Sequence, residues 1–161
     1  MSTRATIFRR TEESASSLIE LCSVCVGETL YGMPISHVVE ILGSIRPQPV
    51  PLAPGFVGGL VHYRGEVLTT ISLRQLFGLS HAAGPQDILV LESAAGCFGL
   101  LVDSVGEVLT VRAEDFEPNP STLSQSRADL FAGAYKLKGS LLALLNPEHL
   151  DPIRIGAVHA G

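Results

Sequence analysis

Several features that are common in enzymes and in nucleic-acid-binding proteins are scarce or missing in this sequence. It contains no tryptophan and only three cysteines, and its 11 Lys and Arg residues form no cluster and are outnumbered by 16 Asp and Glu residues. A net charge of −5 without a basic patch argues against nucleic acid or an anionic membrane as a main partner. The longest aliphatic runs have the length of a strand, which is far too short to span a membrane. No apolar segment follows the N-terminal arginines, as a signal peptide would require, so we expect a cytoplasmic protein without membrane insertion.

The motifs of nucleophilic catalysis and of phosphate binding are also missing. No G-x-S-x-G sequence occurs, and the glycine-rich sequence GFVGG at residues 55–59 lacks the Lys-Ser/Thr pair and the following helix that a phosphate-binding loop needs. The five histidines are scattered and share no ligand-like spacing with the acidic residues. We therefore expect a protein that is not an enzyme and that has no cofactor and no metal site.

Cys22 and Cys25 form the sequence CSVC, which has two interpretations. It is either half of a redox or metal site, or a pair of thiols packed in the protein core. The two cysteines lie in a predicted strand, where a separation of three residues points their side chains to opposite faces, and no second CxxC pair accompanies them. We therefore favour core packing.

An internal repeat is the most informative feature that the sequence does contain. Residues 56–76, FVGGLVHYRGEVLTTISLRQL, align without a gap with residues 130–150, LFAGAYKLKGSLLALLNPEHL. This alignment places an Arg-Gly turn dipeptide over Lys-Gly. Residues 30–42 match residues 97–109 in the same way, and the two pieces come in the same order in each half. Such self-similarity indicates one structural unit used twice.

Within each copy of the repeat the pattern predicts short strands joined by tight turns. A hairpin with glycine at its tip leads into one helical turn, which Ser72 caps in the first copy and Asn146 caps in the second. About ten strands in two sets of five predict an all-β protein of two pseudo-repeated five-stranded barrels, packed on a shared apolar core with short helices and a groove at the seam. We expect a flexible tail at residues 1–17, a single domain of two barrel subdomains at residues 18–152, and a C-terminal tail at residues 153–161, after an Asp-Pro stop signal.

The connection between the first two hairpins is rich in proline. Residues 46–55 contain four prolines in alternation, a pattern that opposes both a helix and the hydrogen bonds of a strand ladder. The segment is either a rigid spacer or a polyproline ligand for an aromatic groove. We favour the spacer.

Three charged residues stand in settings that folding alone does not require. Arg64 lies at the tip of the predicted hairpin, where a solvated turn cation is the simple interpretation and a partner contact is the alternative. Glu40 interrupts the apolar run VVEIL, and its repeat mate Glu107 has the same setting. Each of these carboxylates either protects a sheet edge from pairing or faces a partner.

Three blocks of sequence keep the order and spacing of a known family. They are YGMPISHVVEILG from residue 31, PLAPGFVGGLVHYRGEVLTTISLRQLFG from residue 51, and ILVLESAAGCFGLLVDSVGEVL from residue 88. Together they resemble the CheW family of bacterial chemotaxis coupling proteins, over nearly the whole chain from about residue 18 to residue 150. The resemblance implies a CheW-like domain of two interlocked SH3-like barrels. It also implies a cytoplasmic adapter, recruited to membrane-associated receptor arrays, that links the cytoplasmic tip of a methyl-accepting chemotaxis receptor to the regulatory domain of a CheA-type histidine kinase.

The resemblance also implies which residues contact the receptor. In the family the receptor tip docks in the groove between the two barrels, and an apolar groove would take the tip while charged residues fix its register. The matching positions in this sequence are Val38, Glu40, Gly59, Arg64, Gly65, Val102, Asp103 and Val105.

Two sites depart from the family pattern. Ser72 replaces the usual aspartate of the PIVDLR stretch and keeps a helix cap. His62-Tyr63 replaces Asn-Leu before the Arg-Gly turn, beside the expected receptor contact, and we expect it to alter which receptor is bound. A CheW-like adapter of a non-flagellar pathway, such as pilus motility, would carry the same pattern, so both pathways stay open.

Overall fold

The computed structural model describes residues 17–122 and 129–159, and over these residues the chain is mostly β-strand. The α-helices with described bounds are α1 (Leu73–Leu76) and α2 (Pro152–His159), and single 3-10 turns lie at Ile35–His37, Ala113–Asp115 and Pro147–His149. The prediction of an all-β protein with short helices is confirmed. The expected N-terminal tail lies outside the described residues except for Ser17. The described strands are β1 (Leu18–Val26), β2 (Thr29–Pro34), β3 (Val38–Ile45), β4 (Val57–Tyr63), β5 (Glu66–Ser72), β6 (Gln86–Ser93), β7 (Gly96–Val102), β8 (Ser104–Arg112), β9 (Phe116–Glu117), β10 (Phe131–Leu137) and β11 (Ser140–Leu145).

The strands form two sheets that exchange strands between the two copies of the repeat. One sheet has the order β8-β1-β2-β11-β10-β9 and the other β3-β6-β7-β5-β4. We call them sheet A and sheet B. The repeat relates the two sheets. The repeat mates are β1 and β6, β2 and β7, β3 and β8, β4 and β10, and β5 and β11. Exchanging every strand of sheet B for its mate gives the strand order of sheet A without β9. With β9 left aside, each sheet therefore takes two strands from one copy and three from the other, so neither sheet is a continuous segment of the chain.

Alternating side chains divide the apolar residues into three layers. Along β6, Ile88 and Val90 belong to a cluster inside sheet B, whereas Leu89 and Leu91 belong to a cluster shared by both sheets. This alternation follows from the two-residue period of a strand. A third cluster, around Leu21, lies inside sheet A. The shared apolar layer that the sequence predicts is present, and its members are Cys22, Val24, Val26, Met33, Ile71, Leu73, Leu89, Leu91, Phe98, Leu100, Val102, Leu130, Leu145, Leu150 and Ile155.

The turn and cap residues act as the sequence predicts. Arg64 and Gly65 both have positive φ, +51° and +80°, which is the geometry of a tight two-residue hairpin turn. The Ser72 hydroxyl accepts a hydrogen bond from the Gln75 amide at the start of α1. Asn146 accepts one from the Glu148 amide, as the cap of the matching turn in the second copy.

The proline-rich connection differs from its prediction at Gln48. This residue exchanges two backbone hydrogen bonds of 2.8 Å with Leu60 on β4, since it lies between Pro47 and Pro49 and keeps its own N–H group. This bridge brings the Gln48 backbone close to Gly59, where a Cβ atom would lie 2.5 Å from the Gln48 carbonyl oxygen. The expectation of an extended segment without ladder hydrogen bonds is therefore wrong at this one residue.

The expected C-terminal tail is also wrong, because the chain forms α2 there. Asp151 accepts a hydrogen bond of 2.8 Å from the Ile153 amide, and Pro152 occupies the first helical position, where its missing N–H has no cost. The Asp-Pro pair thus ends the turn at Pro147–His149 and begins a new helix. Ile155 of this helix is 1% exposed and belongs to the shared layer. Residues 160–161 lie outside the described part of the chain.

Candidate functional site

Glu40, Tyr63 and Arg64 meet at the surface and join the two outer strands of sheet B. We call these three residues the edge cluster. The Tyr63 hydroxyl and Arg64 Nη2 each donate a hydrogen bond of 2.9 Å to Glu40 Oε1. The Arg64 guanidinium also lies 5.3 Å from the centre of the Tyr63 ring. Glu40 is on β3 and Tyr63 ends β4, the two strands at opposite edges of the sheet, so these contacts hold the sheet in a curled form.

The electrostatics of the edge cluster favour a charged Glu40. The hydrogen bond from Tyr63 and then the one from Arg64 lower the pKa of the Glu40 carboxyl below its ordinary value. Burial and the hydrogen bond to Glu40 raise the pKa of the Tyr63 hydroxyl. The Arg64 side chain is 74% exposed, and its other N–H groups face solvent. The cluster can therefore offer a fixed guanidinium to an incoming carboxylate or carbonyl oxygen.

A second group of predicted residues lies where the chain crosses from sheet B to sheet A. Val102 ends β7 and is completely buried in the shared layer, and Val105 of β8 packs against the same layer. Asp103, between the two strands, accepts hydrogen bonds from the Gly27 amide and from Arg74 at the start of α1. In the described part of the chain, no hydrogen bond or ion pair joins this crossover to the edge cluster.

The remaining predicted residues occupy different settings. Val38 begins β3, two residues before Glu40, and packs against the shared layer. Gly65 is exposed at the hairpin tip, with open space around its Cβ position. Gly59 is buried beneath Gln48. Because it has no side chain, the proline-rich connection can pack directly against β4 at this point.

Comparison with known proteins decides the family. The family model for the CheW-like domain matches residues 20–152 of this chain. The chain belongs to the CheW family. It is 31% identical over 136 residues to the chemotaxis protein CheW of Rhizobium meliloti (strain 1021), which covers 83% of this chain and 87% of that protein. It is also 30% identical over 98 residues to Protein FrzA of Myxococcus xanthus, covering 59% and 61% of the two chains.

The crystal structure of a CheW-family protein has the same fold. The scaffolding protein TtCheW from Thermoanaerobacter tengcongensis superposes with a TM-score of 0.74 and is 24% identical, with 83% of this chain and 92% of that chain covered. At this level of identity the likeness concerns the fold alone. It supports two sheets packed on one shared layer as the architecture of this CheW-like domain.

The structure reveals site features of this CheW-like domain that sequence reasoning did not use. In the sequence Tyr63 is only a departure from the family pattern, yet its hydroxyl donates a hydrogen bond to Glu40. Val39 and Ile41, which flank Glu40 on β3, are large apolar side chains that are about half exposed. The signal for them was present in the run VVEIL, because an apolar run on both faces of an edge strand leaves one face uncovered.

Redox and metal chemistry find little support in the described residues. Cys22 is buried in the shared layer, and burial raises the pKa of its thiol, which makes it a poor nucleophile. The three cysteines are free thiols. Within residues 17–122 and 129–159 no group of three or more His, Cys, Asp and Glu side chains is placed to hold a metal ion. No helix of that part of the chain is long and apolar enough to cross a membrane.

Proposed function

We propose that this CheW-family chain is a chemotaxis-type coupling scaffold, not an enzyme. It binds the cytoplasmic tip of a methyl-accepting chemoreceptor on one surface and the regulatory domain of a CheA-type histidine kinase on another. The match to the CheW-like domain over residues 20–152 and the similarity to a chemotaxis protein CheW support this proposal. We expect the protein to act in the cytoplasm, at membrane-associated receptor arrays.

The edge cluster is the observation that carries the receptor half of the proposal. It presents a highly exposed guanidinium, and the half-exposed apolar side chains of Val39 and Ile41, which flank Glu40, lie on the other face of β3. An amphipathic helix that docks along this edge strand would gain affinity from the apolar side chains and register from the charge. Among the predicted receptor contacts, Arg64 and Gly65 are exposed and Glu40 is partly exposed.

The other predicted contacts act on the receptor site through packing. Val102 is completely buried, and Gly59 lies beneath the proline-rich connection. Val38 and Val105 are half-buried on the margin of the shared layer. We assign these four residues to the support of the groove, whereas the edge cluster makes the direct contacts.

Separate binding measurements test the two halves of the proposal. Calorimetric titration of the protein with a soluble receptor-tip fragment, and separately with a CheA-type regulatory domain, should give saturable binding in both cases. Arg64→Glu should weaken binding of the receptor fragment by at least about tenfold, in the range of a strong interface contact. The matched control is Lys138→Glu, since Lys138 occupies the corresponding hairpin tip in the second copy of the repeat. Equal losses in the two variants, or no binding of the wild-type protein to either partner, would contradict the proposal.

A CheW-like adapter of a non-flagellar pathway is the second candidate. The similarity to Protein FrzA of Myxococcus xanthus favours it. Tyr63 in place of the leucine usual in the family pattern is compatible with a receptor of either pathway. Because Tyr63 bonds to Glu40, it changes the chemistry of the receptor-facing surface itself. Titration with receptor-tip fragments from flagellar and non-flagellar pathways of the same organism, with the two affinities compared, distinguishes these candidates.

A further inference from the structure

Two partly exposed carboxylates, Asp103 and Asp87, tie sheet A to sheet B near the crossover between β7 and β8. Asp103 Oδ2 accepts hydrogen bonds from Arg74 Nη1 at 2.5 Å and from the Gly27 amide at 2.8 Å. Arg74 belongs to α1, which follows β5 of sheet B, whereas Gly27 belongs to the β1–β2 turn of sheet A. Asp103 Oδ1 accepts a third hydrogen bond, from Gln86 Nε2 at 3.3 Å. One carboxylate therefore joins a turn of one sheet to a helix of the other.

Asp87 makes a second connection of the same kind. Its Oδ2 accepts a hydrogen bond of 2.9 Å from the Val105 amide of β8, and its Oδ1 accepts one of 3.2 Å from the Ser44 amide of β3. These two strands are in different sheets. We call Gly27, Arg74, Gln86, Asp87 and Asp103 the crossover network.

The corresponding crossover of the other repeat copy, between β2 and β3, has a weaker connection. The repeat mate of Arg74 is Glu148, whose carboxylate lies near His37 on the crossover itself and pairs with it as an ion only when the imidazole is protonated. The two atoms are 3.8 Å apart, and the side chains are 34% and 63% exposed. The Arg74 and Asp103 side chains are only 19% and 23% exposed. Because the Glu148–His37 pair is more exposed, solvent screens it more strongly than the Arg74–Asp103 pair, and it contributes less to stability.

We infer that Asp103 is a positioning residue that fixes the orientation of the two sheets relative to each other. The resemblance to the family assigns Asp103 to direct receptor contact, but its carboxylate oxygens are already occupied by Arg74, Gly27 and Gln86. The crossover network thereby sets the spacing of the two sheets at the Val105 side, where the resemblance to the family implies a groove. The effect of the crossover network on receptor binding is indirect and rests on the proposed function. Its effect on the orientation of the two sheets does not depend on that function.

Residual dipolar couplings of backbone amides test this inference without any partner. In the wild-type protein one alignment tensor should fit the strands of both sheets. In Asp103→Asn, which keeps the shape of the side chain but removes its charge, the tensors fitted separately to sheet A and sheet B should diverge. The matched control is Glu148→Gln, which removes the equivalent charge at the other crossover and should keep a single tensor. Receptor-fragment affinity should fall by about fivefold or more in Asp103→Asn only.

A second variant covers the case in which Asp103→Asn does not fold. Arg74→Lys keeps the positive charge but removes the planar guanidinium, whose Nη1 binds Asp103 while its Nε binds the Ser80 carbonyl oxygen at 2.7 Å. Its tensors should also diverge. A single tensor in the folded variants, with or without weaker receptor binding, would overturn the inference, and weaker binding alone would make Asp103 a direct contact. If the tensors of the variants diverge but the wild-type protein binds no receptor fragment, the proposed function is refuted and the positioning role is supported.

Discussion

Arg64 and Glu40, 24 residues apart in the chain, form an ion pair of 2.9 Å across the two edges of sheet B. The resemblance to the CheW family assigns each of them separately to receptor contact, but the structure makes them one unit with Tyr63. A substitution of either residue therefore also removes the ion-pair partner of the other, although Tyr63 contacts both. A variant at either position changes the ion pair as well as the charge offered to a receptor.

A charge swap separates the pairing of Arg64 with Glu40 from contact with a receptor. Arg64→Glu places two carboxylates side by side, yet the site is exposed, so we expect a Tm within about 2 °C of wild type. The double variant Arg64→Glu with Glu40→Arg restores an ion pair and should restore whatever stability the single variant loses. It should not restore receptor binding, because the guanidinium then projects from β3 instead of the hairpin tip. Recovery of binding in calorimetry would mean that the pair acts only by closing the sheet.

The protonation of Glu40 should respond to Tyr63. The hydrogen bond from Tyr63 is the largest cause of the lowered pKa of Glu40, so Tyr63→Phe should move this pKa upward towards the ordinary value of 4.5. A group whose pKa is lower in the folded state adds stability above its unfolded pKa and loses it as the pH falls through the folded value. The contribution of Glu40 should therefore be complete above about pH 5 and disappear at lower pH. Carboxyl-carbon NMR titration of the two proteins checks the shift, and identical titration curves would contradict the hydrogen bond.

Local features of the fold could be predicted from the sequence, whereas the pairing of strands could not. The hairpin at Arg64-Gly65 and the caps at Ser72 and Asn146 depend on residues a few positions apart, and all three are confirmed. The exchange of strands between the repeat copies depends on which apolar faces meet. Alternating hydrophobicity identifies a buried face but does not name its partner, and the repeat makes the two candidate partners nearly equivalent.

The prediction at the C-terminus is wrong and the prediction of receptor contact at Asp103 stays a prediction, for similar reasons. Asp-Pro was interpreted as a stop signal, but the same two residues form a helix start when a side chain such as Ile155 can reach the core. Asp103 matched a family contact position, and only three-dimensional structure shows that Arg74, Gly27 and Gln86 occupy its carboxylate. Sequence position indicates that a residue matters without separating contact from positioning.

Gly59 should be far less tolerant of substitution than Gly65. Both have positive φ, but a Cβ at Gly59 would lie 2.5 Å from the Gln48 carbonyl oxygen, whereas the Cβ position at Gly65 is open. We expect Gly59→Ala to lower the free energy of unfolding by about 2–4 kcal/mol, through backbone strain plus the loss of the Gln48 bridge. Gly65→Ala should cost about 1 kcal/mol, from its backbone conformation alone. Urea denaturation of both variants checks the difference, and equal costs would mean that Gln48 does not pack on Gly59 in solution.

Helix α2 should be an integral part of the fold. Ile155 is 1% exposed and lies in the shared layer, whereas Ile153 on the same helix is 71% exposed. Ile155→Ala should therefore destabilise the protein by about 2–4 kcal/mol through the cavity that it leaves. Ile153→Ala, the matched control, should change the free energy of unfolding by less than about 0.5 kcal/mol. A neutral Ile155→Ala in urea denaturation would restore the prediction of a C-terminal tail.

Co-sedimentation of a ternary complex is the most direct test of the coupling role. Vesicles that carry receptor cytoplasmic fragments are mixed with a CheA-type kinase, with and without this protein, and the kinase in the pellet is measured. We predict that the kinase pellets with the vesicles when the wild-type protein or Lys138→Glu is added, and that Arg64→Glu reduces this fraction several-fold. The same amount of kinase in the pellet with and without the wild-type protein would contradict the account.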